Sequence, residues 1–163
     1  MTNPGLWAAM LVLWLGAATP ALAYGTAPNV DIKPNLEDRD AATFQQARQA
    51  VQFKDWDTAI TLLSDLTRRN DRSADLENML GYSYRMRGRY AEAFAHYDKA
   101  LTLDPAHKGA LEYEGEAYLE TNQLPKAERH LSTLRAACGA QTCQEYALLK
   151  GAIDRYKSKA SIN

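Results

Sequence analysis

Very little in this chain is equipped for chemistry. No glycine-rich phosphate loop, zinc signature or nucleophile-base spacing occurs anywhere in it, which argues against an enzyme. Only two cysteines and three histidines are present. Neither sign of charge is in excess, with Lys plus Arg at 19 against 20 for Asp plus Glu. No global field therefore draws the protein to nucleic acid or to an anionic membrane, and any charge argument has to be local. What remains is an ordinary globular composition, 46% apolar and 24% charged over 163 residues, enough for one modest domain.

The start of the chain lacks charge altogether. Its first 23 residues hold no ionisable side chain, and residues 6–18 form an apolar run of signal-peptide length, too short to span a bilayer comfortably. Pro20 breaks the run, and Ala21, Leu22 and Ala23 supply the small-x-small pattern of a signal peptidase site. Cleavage is expected after Ala23, with the product periplasmic or secreted. Residues 1–5 carry no Lys or Arg, so an uncleaved anchor is the alternative. No cysteine stands directly after the cleavage site, which argues against a lipid anchor. Residues 24–39, with Gly25, Pro28 and Pro34, read as an extended leader, either a spacer or a docking tail.

From Asp40 onward helix-period segments alternate with short breaks, and they keep a period of 34. Gly81 and Tyr84 recur one period on as Gly115 and Tyr118, and Ala93 recurs as Ala59 and Ala127. A fixed period of this length marks a repeat array. In the middle copy Ser73 is an N-cap, Gly88 suits a left-handed C-terminal turn, and a second helix from Tyr90 is stopped by Asp104 and Pro105. Gly81 and Ala93 fall at the crossing of the two helices, where small residues let backbones approach. In the third copy Asn122 takes the turn slot of Gly88. In the worn first copy Ala47 and Ala50 stand at the slots of Gly81 and Tyr84.

In order and spacing, Leu80, Gly81, Tyr84, Gly88, Tyr90, Ala93, Tyr97, Ala100, Leu101 and Pro105 resemble the tetratricopeptide repeat family. The resemblance implies an all-α fold, a right-handed α-solenoid of three helix-turn-helix repeats and a C-terminal capping helix. The boundaries are then a signal peptide at 1–23, a leader at 24–39, repeats at 40–72, 73–106 and 107–139, and the cap with its tail at 140–163. Gly139 stops the last repeat, Thr142 and Glu145 offer a capping box, and Tyr146, Leu149, Ala152, Ile153 and Tyr156 give the cap one apolar stripe. Seven helices are expected.

The resemblance also implies that the first helix of each pair lines a concave, partner-binding wall. Helical spacing places Phe44, Arg48 and Gln52 there from the first copy, Asn78, Met79, Tyr82 and Arg85 from the second, and Glu112, Tyr113, Glu116 and Glu120 from the third. An extended peptide with a basic segment over the third repeat would be matched electrostatically. The carboxylate-gripping residues of some family members correspond here to Phe44, Arg48, Met79, Gly109 and Tyr113, so that clamp is absent apart from Arg48. Glu114 is an anomaly: it stands where the middle copy has Leu80, and a buried lone carboxylate is costly. Pairing with Arg85 or Arg89, or local opening of the repeat, would accommodate it. Glu114→Leu is expected to raise stability unless the carboxylate is paired.

The leading reading is thus an exported adaptor that binds a peptide or partner protein, with no cofactor. A self-associating module with Tyr-rich surfaces is the first alternative. The second is a redox or metal protein. Cys138 and Cys143 read as a disulfide staple between the last repeat and the cap, yet a thiol at a helix N-terminus is also a redox candidate. His96 and His130, one period apart, read as solvated residues of the outer layer or as two ligands of a shared metal.

Overall fold

The computed structural model describes residues 38–70, 72–139 and 142–161. The expected signal peptide, and the leader up to residue 37, lie outside them. The described chain forms α1 (Asp38–Gln52), α2 (Trp56–Arg69), α3 (Ala74–Met86), α4 (Tyr90–Leu103), α5 (Lys108–Glu120), α6 (Leu124–Cys138) and α7 (Gln144–Ala160). The described residues contain the seven expected helices and no strand. None of these helices is long and apolar enough to cross a membrane.

The period of 34 is written into the turns. Lys54, Gly88 and Asn122 each close a first helix with positive φ, at 60°, 74° and 59°. One residue later the backbone N–H reaches back to the same place each time: Asp55 to Ala50 O at 2.8 Å, Arg89 to Tyr84 O at 2.9 Å and Gln123 to Tyr118 O at 2.7 Å. This is the Schellman closure that a left-handed residue permits. Gly88 and Asn122 are the residue types that adopt it readily. Lys54 is not, and sequence reading passed over it. After these turns α2 restarts from a side-chain cap, Asp55 accepting from Thr58 N at 3.2 Å, whereas α4 and α6 restart without one; between repeats, α3 opens on Ser73, which accepts from Leu76 N at 3.2 Å.

With the turns closed, each second helix folds back on its first. Ala59, Ala93 and Ala127 are fully buried. A methyl group on Gly81 would fall 2.8 Å from two ring carbons of Tyr97 and 3.2 Å from the Ala93 carbonyl oxygen, so the crossing admits only glycine. Gly115 holds the equivalent slot but meets Leu149 of α7, at 2.6 Å from a built methyl. Helix α7 packs on both α5 and α6, in the manner of the first helix of a further repeat. Its Leu149 and Ile153 are buried, with Tyr146, Ala152 and Tyr156 packed around them. The expected capping box does not form. Cys143 takes the N-cap of α7 in extended conformation and makes no side-chain cap bond, leaving Thr142 one residue too early to reach the N–H groups.

The left-handed turns yield a direct test. Nothing lies within 4 Å of a methyl built on Gly88, so Gly88→Ala isolates the backbone cost and is expected to lower stability by about 1 kcal/mol. Lys54→Gly is expected to raise it by a smaller amount, because glycine also loosens the unfolded chain. Urea unfolding checks both, and equal signs for the two substitutions would refute the shared-turn account.

Candidate functional site

The first helices α3 and α5 lie against one another, as do α5 and α7, and α1 shares a core cluster with α3. These helices form one layer, and the sequence-predicted wall residues divide across it by burial. Arg48, Gln52 and Glu120 are exposed, and Tyr82, Tyr113 and Glu116 are half-buried. Phe44 and Met79, at 4% and 2% exposure, belong to the core. A helical wheel drawn for one helix makes the wall too wide, because neighbouring first helices cover its flanks. Those two side chains are packing residues.

An aromatic row crosses the layer. The Trp56 and Tyr82 rings meet edge to face at 5.9 Å, and Tyr82 meets Tyr113 at 4.9 Å. Trp56 stands at the start of α2, outside the predicted wall residues. Beside the row, Arg85 Nε and Nη2 donate to the two carboxylate oxygens of Glu120 at 3.0 and 2.9 Å, and Nη2 lies 2.7 Å from Glu116 Oε2. A bidentate guanidinium thus ties α3 to α5. The acidic patch expected to meet a basic peptide segment over the third repeat is thus partly neutralised from within the fold. Arg85 is buried and neutralised by the third repeat, so Arg48 alone offers a free cationic end among the predicted wall residues.

Asn78 and Glu112 are the unusual members. Asn78 is 1% exposed, and neither its Oδ1 nor its Nδ2 has a hydrogen-bond partner among the described residues. Glu112, one period later, is 4% exposed and makes no hydrogen bond or ion pair with any described residue. Burial first, then the charges of Glu116 and Glu145, push its carboxyl up to about 8 against the opposing pull of Arg85. Burial likewise raises the Tyr113 phenol, helped by Glu112 and Tyr82.

Glu114 is paired, though not by arginine. It is 1% exposed, Tyr118 donates its hydroxyl to Oε1 at 2.9 Å, and His130 donates Nε2–H to Oε2 at 2.6 Å. Arg89 instead binds Glu92. The histidines are therefore not simply solvated. His96 Nδ1 meets the buried Glu77 at 2.6 Å, so each of the two binds a carboxylate from the first helix of its own repeat and they do not face a common ligand. Among the described residues no group of three or more His, Cys, Asp or Glu gathers as a metal site would require. His107, which sequence reading left idle, caps α5: its Nδ1 accepts from Ala110 N at 3.0 Å and its Nε2–H donates to Asp75 at 2.9 Å. Histidine is an uncommon cap, so composition gave no signal. Cys138 and Cys143 sit with Cα atoms 5.5 Å apart, within disulfide range.

Two outcomes follow. His130→Ala strands a buried carboxylate and is expected to cost about 3 kcal/mol, whereas Glu114→Leu removes the charge itself and costs less; urea unfolding that ranked them the other way would contradict the pairing. Glu112 ionises at 4.5 when unperturbed and at about 8 in the fold. The stability it contributes is whole below the lower value and is lost as pH rises toward the upper. Glu112→Gln is accordingly expected to stabilise the protein more at about pH 8 than at about pH 5, read as the shift in unfolding midpoint.

Comparison with known proteins agrees with this architecture. Tetratricopeptide repeat models match residues 44–108 and 84–153. No curated protein sequence matches the chain. Among solved structures it is similar to PcrH of Pseudomonas aeruginosa, crystallised with the chaperone binding region of PopD, at 19% identity and TM-score 0.68, over 79% of this chain and 99% of that one. It is also similar to the Yersinia enterocolitica type III secretion chaperone SycD in complex with a peptide of the translocator YopD, at 16% identity and TM-score 0.67, over 77% and 97% of the two chains. A third is the TPR2B domain of yeast Sti1 in a complex with pHsp70, at 18% identity and TM-score 0.64, over 77% and 98%. At such identities the likeness is one of fold. With both repeat models matching and the helix pairs, turns and cap in place, the chain belongs to the tetratricopeptide repeat family.

Proposed function

We propose that this protein is a small exported adaptor, periplasmic or secreted, that holds a peptide segment or partner protein on the layer formed by α1, α3 and α5. The observation that carries the reading is the row of Trp56, Tyr82 and Tyr113 rings, with exposed Arg48, Gln52 and Glu120 on the first helices of the same layer. Large rigid rings beside adaptable polar groups are the residue types that carry recognition surfaces. PcrH, SycD and the Sti1 domain are all recorded in complexes with peptides or partner segments, and their shared fold supports the same use here. The role is one of binding rather than catalysis. The adaptor reading takes the signal peptide as removed after Ala23 and Cys138 and Cys143 as joined in the mature protein, a staple between the last repeat and the cap.

Photo-crosslinking is the decisive experiment. A benzophenone side chain placed at Arg48, Gln52 or Glu120 is expected to yield an adduct in the exported fraction, while the same group at Asp98 or Arg129, exposed on second helices, is not. Adducts from the second-helix positions alone would move the partner to the opposite layer, and adducts consisting only of this chain would favour self-association. The mature protein is expected to begin at Tyr24 and to show no reactive thiol until reduced.

A further inference from the structure

Where α3 and α5 meet along the wall, in what we term the cleft, buried polar groups stand without partners among the described residues. Glu112 is nearly inaccessible, with Glu116 one turn along α5 and Glu145 on α7 as its acidic neighbours. Among the described residues the cation facing it is Arg85 of α3, and the guanidinium is already engaged by Glu116 and Glu120. The remaining groups that sense its charge are the phenols of Tyr82 and Tyr113. A buried carboxylate among carboxylates lacks a cation.

A second observation points to the same place independently. Asn78 stands one period before Glu112 on the neighbouring helix, buried, with its carboxamide oxygen and nitrogen both unsatisfied. Its Nδ2 lies 3.0 Å from where a methyl on Gly109 would be, and Gly109 precedes Glu112 by one turn on the same face of α5. An unsatisfied donor and acceptor side by side complement one peptide unit. Neighbouring helix axes are about 10 Å apart, a distance that about three residues of extended chain span.

We propose that this cleft is a subsite for a lysine or arginine side chain of an extended peptide, its cationic head taken by Glu112, Glu116 and Glu145 while Asn78 pairs with a neighbouring peptide unit. This rests on the wall being a peptide groove and names the chemistry that the groove selects. Half-buried Glu116 leads from solvent to Glu112. With the raised carboxyl of Glu112 protonated at neutral pH when the cleft is empty, arrival of a cation expels that proton. Affinity therefore rises with pH, by up to about tenfold per unit below about 8, and levels above it.

The test screens the full chain with a displayed library of random peptides, then titrates a selected peptide calorimetrically. The expected result is enrichment of Lys or Arg, at least a tenfold loss of affinity when that residue becomes norleucine, and a pH dependence that Glu112→Gln flattens. Circular dichroism confirms that Asn78→Ala and Glu112→Gln remain folded. Binders without basic residues that are nevertheless weakened by Asn78→Ala would overturn the cation subsite and leave the groove reading standing. A library that gives no binder, or binders indifferent to Asn78→Ala, Glu112→Gln and Glu116→Gln alike, would overturn both.

Discussion

The structure depends on the close approach of paired helices at a residue with almost no side chain. Ala59, Ala93 and Ala127, one period apart, are each fully buried, and at the middle crossing even a methyl on Gly81 would strike Tyr97. Close packing at these points sets the distance between layers, and the left-handed turn at 54, 88 and 122 sets the direction of return. Given both, the first helices align side by side and the wall exists as a consequence. Where the third copy departs, at Gly115, the vacated space is filled from outside the repeat by Leu149, so the capping helix is held by the same device that closes each pair.

Polar groups inside the stack fall into two populations. Those between the layers are satisfied: Glu77 by His96, and Glu114 by His130 and Tyr118. Each such pair fastens a second helix to its own first helix. On the wall side Arg85 is paired with Glu116 and Glu120, while the Asn78 carboxamide has no hydrogen-bond partner among the described residues. Leaving a buried polar atom unpaired costs about 1–3 kcal/mol, and that cost at Asn78 is one ground on which the wall is proposed as the functional face.

Much of this was legible from the chain alone. Spacing located the helices because Gly, Ala and Pro recurring at set offsets in a period of 34 match the crossings and stops of stacked helix pairs, and Ser73, Gly88 and Asn122 announced their conformations through ordinary cap and turn chemistry. The misjudged residues share a cause. Phe44 and Met79 lie on the wall stripe of an isolated helix yet are covered in the stack. Arg85 was placed on the open wall because its partners, Glu116 and Glu120, sit about one period away in sequence. Glu114 looked like a lone charge because its histidine arrives from the next helix. Lys54 and His107 were missed because neither residue type advertises the role its backbone position imposes.

By itself the sequence determined the repeat, the order of elements, the turns at Gly88 and Asn122, the cap at Ser73, and the apolar stripe of the last helix, since all of these follow from backbone preference and from periodicity within a few turns of chain. Only the tertiary structure decided which wall residues remain open, that Arg85 is neutralised, that Glu114 is paired, and that Asn78 and Glu112 are buried with no hydrogen-bond partner among the described residues. Those outcomes depend on side chains from helices far apart in sequence, and hydrogen bonding and desolvation are set by the neighbours a group meets in space.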